Sequence, residues 1–302
     1  MKKSTKIALI VAGGCVALGI ILCAVGLVLI GDDIMRINEK SFSRTTHEVE
    51  EEIHRISVEE IECDVYILAS SDGTRRVECS DSERMFSEVN VNDGTLTVKR
   101  IDERRWYEHI GIWWERMPTL NIYLPEGEYE SLDILTASGD VEIPSSLSFE
   151  KASIKTTSGD ISSFCKVTDG FSAESTSGDV SLGRIEGGTV EVTTTSGEID
   201  ISDVNEADLS VKTTSGDIEL CRVVAVGVMR VSSVSGDVDI EASDAASLEI
   251  DTTSGDVEAV LLTAKKFVTD TVSGDVSVPD SDSTAGKCSV TTTSGDILIR
   301  IE

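Results

Sequence analysis

The tripeptide Ser-Gly-Asp recurs along the second half of this 302-residue chain. It begins at Ser138, Ser158, Ser177, Ser196 (where Glu198 replaces Asp), Ser215, Ser235, Ser254, Ser273 and Ser294. Successive copies lie 19 to 21 residues apart, and a fixed period of that length marks a repeat architecture. A set of globular domains has no reason to keep such a step.

The flanks of the tripeptide say what each repeat is. Three places after Ser stand Val141, Ile161, Val180, Ile199, Ile218, Val238, Val257, Val276 and Ile297; four before it stand Ile134, Ile154, Ala173, Val192, Val211, Val231, Ile250, Thr269 and Val290. Residues between the apolar columns are polar, as with Glu142, Asp200, Glu219 and Asp239 on one limb and Lys155, Glu174, Lys212 and Asp251 on the other. Alternation of period two predicts short strands with one face inward. One repeat could not stand alone: a few inward side chains at about 2 kcal/mol each do not offset about 1–2 kcal/mol of backbone entropy per residue. Stacked coils solve this, because each strand pairs with its copies above and below. The expected fold is all-β, a single-stranded parallel β-solenoid of about nine to ten coils of about 19 residues, preceded by one transmembrane helix.

The corner chemistry is equally regular. Gly139, Gly159, Gly178, Gly197, Gly216, Gly236, Gly255, Gly274 and Gly295 hold one structural turn position in every coil, the expected outcome if that corner requires positive φ. Two residues before each Ser is Thr or Ser, from Thr136 to Thr292. Parity turns these hydroxyls inward, which predicts a hydrogen-bonded Thr ladder.

The Ser-Gly-Asp-(Val/Ile) coils, the strand Asp93-Gly-Thr-Leu-Thr-Val98 and the lead-in Asn121-Ile-Tyr-Leu-Pro-Glu-Gly127 resemble the bacterial "putative adhesin" family, a domain of unknown function on membrane-anchored surface proteins. The likeness spans roughly residues 53 to 302. It implies an exported β-solenoid module, linked in some members to cell-envelope stress systems.

Charge limits the partners. Lys and Arg number 26 against 55 Asp and Glu, and the first thirty residues hold three Lys and no acid. Such an acidic exterior repels nucleic acid and anionic headgroups, which excludes nucleic-acid binding as a function. The seven cysteines follow no zinc spacing and no disulfide framework. Cys63 and Cys79 are the one pair whose spacing leaves a bridge open.

Residues 7–30 carry no charge and are long enough to span a bilayer as a helix. Lys2, Lys3 and Lys6 precede the run while Asp32 and Asp33 follow it, so the positive-inside rule places the N-terminus in the cytoplasm. The expected order is a cytoplasmic stub (1–6), a signal anchor (7–30), a juxtamembrane spacer (31–52), an N-terminal β cap (53–130) and the repeats (131–302), all beyond the anchor extracellular. Within the cap, Ile56 to Ile67 reads as a worn coil with Cys63-Asp64-Val65 in place of Gly-Asp-Val. Segment 101–117 holds every Trp of the protein. Trp106, Tyr107, Trp113 and Trp114 are either a plug over the open end of the stack or an aromatic contact surface for a membrane interface, glycan or protein. At the other end, an exposed strand edge is expected on the last coil.

The acidic column Asp140 to Asp296 needs relief from self-repulsion. Turn N–H groups and solvent supply it in one reading; Ca²⁺ held by Asp160, Asp179, Asp217, Asp237, Asp256 and Asp275 supplies it in the other. No organic cofactor is expected. Catalysis has little footing: His47, His54 and His109 sit beside no nucleophile pattern, and a Ser repeated in every corner is not a singular reactive group. The function expected is non-enzymatic, a membrane-anchored surface binding or envelope-structural module with an unknown protein or glycan ligand. The competing class is an accessory regulator of envelope-stress or membrane signalling, acting through a membrane-protein partner.

Overall fold

The structure is a computed structural model; it describes residues 42–105, 118–281 and 284–302, with 12–14, 16, 18–22 and 25 nearer the N-terminus. The chain divides into two compact units, residues 1–43 with 103–115, and residues 44–102 with 116–302. In the first unit the described positions between 12 and 25 are helical and their apolar side chains are exposed. Among the described residues no helix is long and apolar enough to cross a membrane. Most of the expected anchor and all of 106–117, including Trp106, Tyr107, Trp113 and Trp114, lie outside the described residues.

The second unit is a parallel β-solenoid. Its strands are β1 (Ser43–Val49), β2 (Arg55–Glu59), β3 (Asp64–Ala69), β4 (Arg75–Asp81), β5 (Met85–Asn92), β6 (Thr95–Asp102), β7 (Thr119–Leu124), β8 (Glu128–Leu135), β9 (Val141–Ile143), β10 (Ser148–Lys155) and β11 (Ile161–Ser163). There follow β12 (Lys166–Glu174), β13 (Val180–Thr193), β14 (Ile199–Lys212), β15 (Ile218–Ser232), β16 (Val238–Asp251), β17 (Val257–Leu261), β18 (Lys266–Ser273), β19 (Val276–Ser277), β20 (Lys287–Ser294) and β21 (Ile297–Ile301). β1 falls in the stretch read as a polar spacer; it pairs with β4.

Coil stacks on coil in the register that the repeats imply. Val180, Leu182, Val190 and Val192 of β13 lie beside Ile199, Ile201, Leu209 and Val211 of β14, and these lie beside Ile218, Leu220, Met229 and Val231 of β15. All of these side chains are buried. Like packs on like, and the parallel ladder satisfies the backbone between coils.

At both ends the stacking order departs from the chain order. The final repeat does not sit outermost: β20 lies between β16 and β18, pairing Leu248 with Cys288 and Phe267 with Cys288. Likewise β21 lies between β17 and β19. The exposed edge expected on the last coil therefore falls on β18 and β19. At the other end β2 lies between β6 and β8, and β3 between β7 and β9. The worn coil Ile56–Ile67 is thus an inner rung. The repeats present similar columns, so the apolar pattern alone does not fix the level that each occupies.

The corners also differ from expectation. The Ser-Gly-Asp glycines do not have positive φ. What requires glycine is the neighbouring backbone: a Cβ on Gly216 would lie 2.0 Å from the carbonyl oxygen of Gly197. The corners stack so closely that no side chain fits between them. Positive φ appears instead seven residues after four of the serines, Ser177, Ser196, Ser215 and Ser235, at Arg184 (64°), Asp203 (54°), Arg222 (56°) and Ala242 (46°). That second bend, costly for non-glycine residues, turns the long strands β13 to β16 and has no sequence signature.

The Thr column is buried except at Thr271, which is half-buried, yet its hydroxyls do not bond to one another. Thr194 Oγ1 donates to the Gly178 carbonyl at 3.2 Å and Thr271 Oγ1 to the Gly295 carbonyl at 3.2 Å. Ser175, Thr213 and Thr292 donate likewise to the carbonyls of Gly159, Gly197 and Gly255, each at 3.4 Å, whereas the buried hydroxyls of Thr136, Thr156, Ser233 and Thr252 have no hydrogen-bond partner, so the ladder runs from hydroxyl to glycine carbonyl between rungs and is incomplete.

The N-terminal end is closed by antiparallel strands, β5 on β6 and β4 on β7. Asp93 and Gly94, both at positive φ (48° and 71°), make the two-residue turn that joins β5 to β6. Cys63 occupies the glycine slot of its rung; its Sγ accepts from Arg100 Nη2 at 2.7 Å. Arg100 is enclosed, with Nε 2.9 Å from Glu60 and Nη1 3.1 Å from Asp81. Its Nη1 also donates to the Ser80 carbonyl at 3.1 Å. Cys63 and Cys79 are free thiols, both buried; burial pushes Cys63 up, and Cys79 up to about 11.

Candidate interaction surface

Each Ser-Gly-Asp corner presents a carboxylate, and at every corner but those of Glu198 and Asp275 a backbone amide of the neighbouring rung uses it. Asp140 Oδ1 accepts the Asp160 N–H at 2.9 Å, Asp160 Oδ1 that of Asp179 at 2.9 Å, and Asp179 Oδ1 that of Glu198 at 2.8 Å. The column resumes with Asp217 accepting from Asp237 and Asp237 from Asp256, both at 2.8 Å. Asp256 then accepts from Asp296, and Asp296 from Asp275, both at 2.7 Å. Asp64 begins the column by accepting from Asp140 at 3.1 Å. Among the described bonds none joins Glu198 to the Asp217 amide.

These N–H groups offset the repulsion within the column, since a carboxylate that accepts amide hydrogens is stabilised in its charged form. Of the six residues expected as cation ligands, Asp160, Asp179, Asp217, Asp237 and Asp256 each hold an amide of the next rung, and Asp275 ends the column. They follow one another from rung to rung, and no three of them bring their ligand atoms within 4.8 Å of one another. Among the described residues the group of three metal-ligating side chains that does converge is His47, Cys79 and Asp81, which sequence spacing did not reveal because β1 and β4 lie 25 residues and more apart in the chain.

The outward faces carry charge pairs between rungs. Lys155 meets Glu174 at 2.7 Å, Lys166 meets Glu186 at 2.7 Å, Arg222 meets Asp203 at 2.7 Å and Arg230 meets Glu249 at 3.0 Å. Exposed pairs of this kind are worth about 0–1 kcal/mol each. The Arg222 hydrogen bond holds the Asp203 carboxyl below the usual range. Asp239 moves the other way: partial burial raises it, and Glu258 and Glu241 add to the effect.

The rim of the stack is β18 and β19, where Val272 is 81% exposed and Val268 and Val276 are each 45% exposed. Val276 is thus the one residue of its β-branched column that is uncovered, because its rung has a neighbour on one side only. The corner glycines Gly139, Gly159, Gly178, Gly197, Gly216, Gly236, Gly255, Gly274 and Gly295 are brought together as a column of close backbone approach.

The Toastrack DUF4097 family model matches residues 53–223 and again residues 222–302. Solved structures to which the chain is similar include a "putative adhesin" from Bacteroides fragilis NCTC 9343, 18% identical over 85% of this chain and 97% of that one, with a TM-score of 0.35. A "putative lipid binding protein" from Parabacteroides distasonis ATCC 8503 is 16% identical over 85% and 97%, with a TM-score of 0.40. A "putative adhesin" from Parabacteroides merdae ATCC 43184 is 8% identical over 85% and 97%, with a TM-score of 0.31. No curated protein matches the chain.

Proposed function

The chain belongs to the Toastrack DUF4097 family, and on that basis we propose that it is a non-enzymatic, adhesin-like β-solenoid, carried outside the membrane by residues 7–30 and binding a surface protein or glycan. The observation that carries the reading is the fate of the repeated polar residues. Every corner Asp but Asp275, which ends the column, accepts a backbone amide of the next rung, and each Gly sits against the next backbone. The chemistry most repeated in the sequence is thereby consumed in building a scaffold. What the scaffold offers to a partner is its periodic, charged outer face and its rim.

The uncharged run 7–30, with Lys on its amino side and Asp after it, supports an anchor with the repeats outside. The exposed apolar side chains on the helical positions between 12 and 25 fit a lipid-facing segment.

Whole cells carrying the full chain, against cells carrying residues 1–52 only, test this by protease shaving and by retention on surfaces coated with envelope glycan or protein. Release of residues 53–302 by protease, with retention that requires them, is expected. Protection of those residues in intact cells, or equal retention of the two strains, overturns it. Equal retention with a changed envelope-stress response points to the regulatory class.

A further inference from the structure

We propose that His47, Cys79 and Asp81 form a site for one divalent cation of the zinc class, which ties β1 to the N-terminal end of the solenoid.

The three come together through simple strand geometry. Cys79 and Asp81 are two apart on β4, so both point to its buried side, as its alternating burial shows. β1 pairs with β4 and brings His47 beside them. The ligand atoms all lie within 4.8 Å of one another. Donors around a tetrahedral ion with bonds of about 2.0–2.3 Å lie roughly 3.5 Å apart, a closure of about an ångström that side-chain torsions can supply.

Two features point to a ligand. His47 Nε2 is shut off from solvent and has no hydrogen-bond partner, a position that a nitrogen donor seldom holds unless something is to fill it. Asp81, in turn, is held from behind: its Oδ1 accepts the Ser87 N–H at 3.0 Å and Arg100 Nη1 at 3.1 Å. Outer hydrogen bonds of this kind fix the direction of a metal-ligating carboxylate. Charge fits as well. With Cys79 as thiolate, it and Asp81 and Glu60 carry three negative charges against one positive charge on Arg100, leaving two for a divalent ion to neutralise. A nitrogen, a sulfur and an oxygen donor suit zinc and disfavour Ca²⁺ or Mg²⁺.

The full-length chain, stripped with chelator, is titrated with Zn²⁺ against a chromophoric competitor and separately loaded with Co²⁺. One Zn²⁺ per chain is expected, with a thiolate-to-cobalt charge-transfer band that Cys79→Ser removes. His47→Gln, on the half-buried strand β1, should weaken Zn²⁺ at least roughly tenfold and keep the β-sheet circular dichroism. Absence of stoichiometric binding to the unaltered chain overturns the site. So does a cobalt band that survives Cys79→Ser, or unchanged affinity in His47→Gln, which decides the matter if Cys79→Ser does not fold.

Discussion

The Asp160 carboxylate accepts the backbone N–H of Asp179 at 2.9 Å, and this one bond, repeated up the stack, explains why an acidic column stands without mutual repulsion breaking it. The column has a gap at Glu198. Glu198→Asp should therefore add a bond to the Asp217 amide and stabilise the fold by about 0.5–1.5 kcal/mol. Thermal unfolding reads this as a midpoint raised by a few degrees; an unchanged or lowered midpoint contradicts it.

The corner glycines are demanded by close approach. Gly216→Ala places a Cβ 2.0 Å from the Gly197 carbonyl oxygen, against backbone that has its own ladder to keep. A loss of about 3 kcal/mol or more is expected in denaturant unfolding. Gly127→Ala, where nothing lies within 4 Å, should stay within about 0.5 kcal/mol of the unaltered chain.

Much of this architecture is legible in the sequence, and the limits have physical causes. Val180, Ile199 and Ile218 announce an inward column because strand parity is local information, and all three are buried. The order of the rungs is not local. Leu248 stacks on Cys288 rather than on Phe267, and since both repeats present the same columns, periodicity cannot choose between them. The bend at Arg184, Asp203 and Arg222 is hidden for another reason: positive φ falls on residues chosen for outward charge, with no glycine to mark it. The approach of His47 to Cys79 and Asp81 depends on β1 joining β4, a pairing between segments with no shared repeat.

Arg100 holds the cap by charge enclosed on all sides. Arg100→Met leaves Glu60 and Asp81 without their cation and should cost about 3–5 kcal/mol. Adding Glu60→Leu to Arg100→Met should recover part of that loss, because a buried pair replaced by apolar groups removes both desolvation penalties. Equilibrium unfolding of the two variants checks this; a double variant less stable than Arg100→Met alone contradicts it.

Acid should relieve one outward site. Asp239 is raised by partial burial and by Glu258 and Glu241, so the folded state binds its proton more tightly than the unfolded state, and its charged form weakens the fold above the raised value. Asp239→Asn should accordingly raise the melting midpoint at neutral pH, with the gain fading as pH falls toward about 4, the ordinary carboxyl value. A gain that persists unchanged at pH 3 contradicts this.

The claim on which the account rests is that the last repeat is inserted between two earlier ones. Thr291 lies beside Asp251 on one side and beside Asp270 on the other, and all three are exposed. Adjacent rungs put such positions about 5 Å apart and alternate rungs about 10 Å apart. Cysteine pairs are made in a Cys221→Ser background, since Cys221 is the half-exposed thiol among the described cysteines, and treated with a short bifunctional methanethiosulfonate reagent. Asp251→Cys with Thr291→Cys should cross-link while Asp251→Cys with Asp270→Cys should not; the opposite pattern would mean that the repeats stack in chain order.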